Sequence, residues 1–282
     1  MATGAPTVQR QAVPVRHRPN IEQMTAPQIE ALRDAYADMQ KIGDERGYEY
    51  HAGHHGLPLP KECSIAHGWP AFLPWHRAYL YVFEQALRKN GRHDVMLPWW
   101  DWTKTRKVPA AFNEKKRPDG SPNPLYSASI LDLALEQGKR ADPAEEKGWR
   151  WTRELAEIPN TVREPGRLLT ALPTPGAIAK ALKEKDYESF RLEIEDYHGE
   201  VHIWVGGHMS NLPFAAFDPL FWSHHCMIDR LWRKWQLDHP QASFPQAVRG
   251  QVMKPFHLTA GAVLEPTALG YDYALSIGQV RP

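Results

Sequence analysis

The 14 histidines of this chain are clustered rather than scattered, and imidazole is a metal ligand as well as an acid–base group. His198 and His202 stand at i, i+4 in Tyr197-His-Gly-Glu-Val-His-Ile-Trp204. On a helix that spacing puts both rings on one face, a turn apart, where they can chelate one ion. The pair His224-His225 follows 22 and 23 residues after His202, at the start of another apolar helical pattern. A third ligand from that pair completes a three-histidine set with an open position. Nearer the N-terminus, His67 and His76 flank Gly-Trp-Pro-Ala-Phe-Leu-Pro-Trp, and His51, His54 and His55 lie upstream in Tyr50-His-Ala-Gly-His-His-Gly-Leu-Pro58. Two such sets, each ending in the first turn of an aromatic-rich helix, imply two metal ions held between helices. Ligand type alone leaves copper, zinc, iron and nickel open.

The elements that must position these residues are mainly helical. Thr25-Ala-Pro-Gln28 reads as a capping box, and Ile29, Leu32, Tyr36 and Met39 continue at helical spacing to about residue 45. A second helix is predicted from near Trp75, with His76, Leu80, Phe83 and Leu87 on one face and Arg88 and Lys89 at its C-terminal end. Helical pattern resumes at about 176–186, 188–205 and 222–237. Residues 104–127 and 139–174, rich in Pro, Gly and charge, read as long surface excursions. No alternating run is long enough to predict a large sheet. The expected fold class is therefore mainly α, a helix bundle with long surface loops and little sheet.

Bulk properties exclude several classes. With 34 Lys and Arg against 33 Asp and Glu, and no basic stripe, nucleic acid is not an expected partner. The two cysteines, Cys63 and Cys226, are too few for a disulfide framework. No stretch approaches the roughly 20 apolar residues of a spanning helix, and residues 1–18 carry no apolar run, so a cytoplasmic protein without a membrane partner is expected. At 282 residues the chain is expected to form one domain, residues 1–282, with a core of about 18–273.

Longer motifs carry a resemblance. Phe72-Leu-Pro-Trp-His-Arg-Ala-Tyr-Leu80, Leu97-Pro-Trp-Trp-Asp-Trp102, Val205-Gly-Gly207, Phe217-Asp-Pro-Leu-Phe-Trp-Ser-His-His225 and Asp229-Arg-Leu-Trp232 are similar to the signature blocks of the tyrosinase family. That family includes tyrosinases, catechol oxidases and molluscan hemocyanins. Tyr271-Asp-Tyr273 resembles the tyrosine motif that closes its core domain. The resemblance implies a four-helix bundle holding two copper ions, each by three histidines. His67 and His76 would serve the first copper, joined by His55 or, one turn earlier, His51. His198 and His202 would serve the second, joined by His225 or its neighbour His224. It also implies oxidation of o-diphenols to o-quinones with O2 and hydroxylation of monophenols, or reversible O2 binding as in hemocyanin. A small phenolic substrate and a copper chaperone are the partners it suggests.

A phenol must lose its proton to bind copper, so a nearby base or water assists. In tyrosinases an Asn after the first ligand of the second site, together with a Glu, is thought to hold that water; here the position is Gly199. Glu195 is a partial substitute, against the expectation that it is a solvated helix-face residue. Diphenol oxidation is thus the firmer expectation. Ile203, after His202, should favour a flat apolar ring above the second copper. The loop from Gly206 to Phe217 is expected to border the entrance, with His208 on its rim, and Phe221 to pack against the ligands. Cys63 stands four residues before His67, further than the Cys-x-His spacing from which relatives build a thioether to that ligand. Asp101 and Asp229 are expected to orient ligands or to pair with Arg77 or Arg230. Only nine residues follow Tyr273, so an open site without a C-terminal covering domain is expected.

Overall fold

The computed structural model describes residues 14–59, 67–89, 92–141 and 152–274. Ten α-helices are found among them: α1 (Ala26–Gln40), α2 (Tyr48–Gly53), α3 (Phe72–Lys89), α4 (Ala110–Asn113), α5 (Asp132–Lys139), α6 (Thr152–Ala156), α7 (Pro175–Ala181), α8 (Tyr187–Val205), α9 (Leu220–Asp238) and α10 (Gln246–Arg249). Strands are few. β1 (Arg16–Arg18) pairs in parallel with β4 (Tyr271–Tyr273), and β2 (Val252–Met253) pairs antiparallel with β3 (Leu258–Thr259). The mainly helical expectation holds, and the excursions at 104–127 and 139–174 contain only short helices among their described residues.

Helix limits follow from local chemistry. At α1, the Gln28 side chain accepts the Thr25 N–H at 2.8 Å, the expected capping box. α7 stops at Ala181, short of the expected residue 186, because Asp186 is extended and its carboxylate caps α8 by accepting from Ser189 N at 2.9 Å. α8 ends where Gly206 and Gly207 both take positive φ, 69° and 55°. A Cβ at Gly207 would lie 2.1 Å from the Val162 carbonyl oxygen, so only glycine lets the 162–164 backbone approach this closely. α9 begins after Asp218, which accepts from Leu220 N at 2.8 Å and receives the Arg163 guanidinium through two nitrogens.

α3, α8 and α9 pack around a core in which Leu80, Phe83, Leu87, Trp222 and Trp232 are buried. The layer is tied to the terminal strands by a buried ionic network. Asp229 of α9 accepts from Arg77 Nε of α3 at 2.5 Å, from Tyr271 Oη at 2.7 Å and from Tyr273 Oη at 2.6 Å. Arg18 of β1 adds a bond to Asp229 at 3.3 Å and one to Glu84 at 3.1 Å. Burial pushes the Asp229 carboxyl up, but the two guanidinium groups and two phenols bring it below the usual carboxylate range. Asp229 thus takes Arg77 as expected; the Asp101 carboxylate accepts from Thr103 Oγ1 at 2.5 Å and lies close enough to act electrostatically on Arg230, while its backbone carbonyl accepts from Thr105 N at 2.7 Å. Among the described residues, no helix is long and apolar enough to cross a membrane.

Candidate metal centre

Two groups of imidazoles meet between these helices. His55, His67 and His76 form one; His198, His202, His224 and His225 form the other. Within each group one nitrogen per ring lies within 4.8 Å of the others. His55 follows α2, His67 sits in the turn before α3, and His76 lies in the second turn of α3. α8 carries His198 and His202 one turn apart, and α9 carries the adjacent pair. The groups abut, because the rings of His76 and His225 stack at 4.4 Å. His51 belongs to neither group: its ring packs against Phe83 and His54, and its carbonyl accepts from Tyr79 Oη at 2.6 Å.

Backbone and carboxylate acceptors set the tautomers. The Nδ1 atoms of His55, His76 and His202 face the carbonyl oxygens of Leu212, Phe72 and Met209 at 3.2, 2.9 and 2.7 Å. A carbonyl only accepts, so each Nδ1 carries the proton and the lone pair of each ring resides on Nε2. His67 Nδ1 faces Glu195 Oε1 at 3.2 Å instead. The Nε2 atoms of His55, His67 and His198 are buried without a hydrogen-bond partner, a cost that a metal ion removes. His202 Nε2 and His225 Nε2 are 3.3 Å apart. Two imidazole nitrogens this close would be able to reach one shared ion. Burial first, and neighbouring imidazoles second, hold His55, His76, His198 and His225 far below the ordinary histidine range. Burial brings His202 to about 4, against the opposing pull of the Met209 carbonyl. The rings are therefore neutral at neutral pH, the form that binds metal. The residues present fit two ions held by imidazoles.

Several expectations about the surroundings change. His208 is fully buried rather than on a rim: its Nδ1 accepts from Val162 N at 2.9 Å and its Nε2 donates to the Leu155 carbonyl at 3.2 Å, so neither nitrogen is available to a metal. The segment from Gly206 to Phe217 is mostly buried and supplies the carbonyls that orient His202 and His55. Sequence reasoning missed this because a carbonyl acceptor leaves no residue-type signature. Glu195 is not a solvated helix-face residue, since it bonds His67, Gly68 N at 2.6 Å and Arg191. Phe221 packs against the ligands as expected, 4.1 Å from His225 and 4.7 Å from His55 between ring centroids. A Cβ at Gly199 would meet nothing within 4 Å, and Ile203 is 44 % exposed, so both border open space. Cys226 is buried in the core, and Cys63 lies outside the described residues.

Known proteins resemble this chain in sequence and fold. Residues 45–238 match the family described as the common central domain of tyrosinase. A tyrosinase from Streptomyces glaucescens is 32 % identical over 228 residues, which cover 72 % of this chain and 78 % of that protein. Grixazone synthase from Streptomyces griseus is 33 % identical over 233 residues, covering 64 % of this chain and 71 % of that protein. The A-type hemocyanin of Enteroctopus dofleini, units Ode to Odg, is 30 % identical over 78 % of this chain, but the chain spans only 18 % of that protein's length. A functional unit of octopus hemocyanin superposes with a TM-score of 0.72 at 29 % identity, over 92 % of this chain and 68 % of that one. The matched central domain, the helical fold and the two facing histidine groups together establish that this chain belongs to the tyrosinase family, whose tyrosinases and hemocyanins use two copper ions.

Proposed function

We propose that this chain oxidises o-diphenols to o-quinones with O2. The observation that carries the reading is the pair of all-imidazole groups with His76 stacked on His225, so that two ions bound there would share one small substrate space. Two copper ions would supply the electron transfer between phenol and O2. His55, His67 and His76 would hold one, and His198, His202 and His225 the other. Neither group contains a carboxylate, which disfavours a bridged hydrolytic site of zinc or iron.

The open surface at Gly199 and Ile203 suits a flat ring lying over α8. Deprotonating a monophenol needs a base or a fixed water nearby. Both carboxylate oxygens of Glu195 are already engaged, by His67 and Gly68 on one side and by Arg191 on the other. Gly199 offers no side chain to help. These two facts favour diphenol oxidation over monophenol hydroxylation. The likeness to octopus hemocyanin supports a second reading, reversible O2 binding without phenol turnover.

One experiment separates the readings. The protein is loaded with Cu(II), treated with hydrogen peroxide while near-ultraviolet absorption is recorded, and then given catechol and tyramine. Catechol turnover with little tyramine turnover is expected. Absorption without turnover of either phenol would establish the carrier, and no absorption would remove copper chemistry altogether. Gly199→Asn should raise the ratio of tyramine to catechol turnover at least several-fold while changing stability by less than about 1 kcal/mol, because its side chain enters open space.

A further inference from the structure

His67 differs from the other ligands proposed for the first ion. His76 is built into α3 and bonded to the Phe72 carbonyl, and His55 is bonded to the Leu212 carbonyl, but His67 stands in a turn outside any helix with its side chain 23 % exposed. Its Nδ1 meets Glu195 Oε1 at 3.2 Å, and the same oxygen accepts the Gly68 N–H at 2.6 Å. Gly68 has φ +75°, so the turn directs two adjacent donors at one carboxylate oxygen. Arg191, buried and one turn earlier on α8, binds the other oxygen. Glu188 in turn holds Arg191 through both guanidinium ends, Nη2 and, at 3.1 Å, Nε. A second strut from α8 fixes the same turn, since Tyr187 Oη donates to the Pro70 carbonyl at 2.6 Å.

We propose that Glu195, carried by the helix that supplies His198 and His202 to the second ion, is the positioning residue for His67 of the first. It fixes the Nδ1–H tautomer and aims Nε2, which is buried and unbonded, into the first group. A histidine that donates to a carboxylate is also a more basic ligand than one that donates to a carbonyl. One helix thereby serves both sites: α8 carries His198 and His202 and orients His67, which lies 5.4 Å from His198 between ring centroids. Loss of an outer partner of this kind costs about 10–100-fold in metal affinity.

The inference rests on the two-copper reading, and the test keeps the two apart. Copper affinity is measured by chelator competition in two single-ion backgrounds, His225→Gln, which retains the first group, and His76→Gln, which retains the second. In the first background Glu195→Ala should weaken copper about 10–100-fold. In the second it should change affinity by less than about 3-fold. Glu195→Gln keeps an acceptor for His67 and Gly68 without the charge, so it should fall between wild type and the alanine variant. Nitrogen hyperfine structure in the Cu(II) resonance spectrum of the first background should show one imidazole fewer in the alanine variant. Equal weakening in both backgrounds, an unchanged imidazole count, or a change confined to phenol turnover would each overturn the proposal. If the unmutated protein fails to bind two coppers, the functional reading itself fails, whatever Glu195 does. Circular dichroism verifies folding, and the glutamine variant keeps the test decisive if the alanine variant unfolds.

Discussion

His224 and His225 are adjacent in the chain but not equivalent in space. The Nε2 of His225 sits 3.3 Å from that of His202, and its ring stacks on His76 of the other group. His224 stacks instead on His198 at 5.3 Å, meets His202 edge-on at 4.8 Å and turns toward Trp102. A 100° step along a helix separates neighbours, so the two rings reach the second group from different directions. His225→Gln should therefore reduce copper from two ions per chain to one and abolish catechol oxidation. His224→Gln should retain two. Metal analysis after desalting reads both directly, and loss of copper from the His224 variant alone would reverse the assignment.

At the scale of elements, α3 and α9 are clamped by charge as well as by apolar packing. Arg77 lies over the Trp232 ring at 3.7 Å while it bonds Asp229, and Arg18 lies over Tyr271 at 3.8 Å. Asp229→Asn leaves two buried guanidinium groups short of their counter-charge. It is expected to cost about 3–5 kcal/mol, the usual penalty for breaking a buried pair from one side. A denaturant midpoint unchanged within error would mean that the packing of α3 on α9 needs no such clamp. The loop elements matter equally. His208 joins the backbone at Leu155 and Val162, and the same segment offers the Met209 carbonyl to His202 of α8 and the Leu212 carbonyl to His55 beyond α2.

At the scale of the whole molecule, a cluster of neutral imidazoles is a store of acid sensitivity. In the unfolded chain each histidine titrates near about 6.5. In the folded protein His202 is brought to about 4, and His55, His76, His198 and His225 lie far below their ordinary value. Between those values the unfolded state binds more protons, so folding stability falls as pH drops from about 6.5 toward 4, by about 1.4 kcal/mol per pH unit for each group. The depressed Asp229 carboxyl contributes stability that is full above about 3.9, the unfolded value, and is lost as pH falls further. The metal-free protein should show a steadily lower Tm at pH 6.5, 5.5 and 4.5. The copper-loaded protein should fall more steeply, because protons compete for the ligands. A metal-free Tm constant across that range would show that these histidines are not held neutral.

The chain's residue pattern alone determined the helices that carry the site, because helical periodicity and caps are local. His198 and His202 had to share a face, His76 had to head an apolar stripe, and Phe221 had to pack on the ligand side. The tertiary structure decided what depends on distant partners. It brought His55 into the first group and left His51 packed on Phe83, although both are compatible with the local pattern. The acceptor for His55 is Leu212 and that for His67 is Glu195, residues far apart in the chain whose roles are set by how α8, α9 and the segment between them pack. It buried His208 as a backbone anchor, where the sequence offered only a histidine in a glycine-rich loop. Periodicity says which face a side chain occupies. Which carbonyl or carboxylate waits there is settled only when the helices meet.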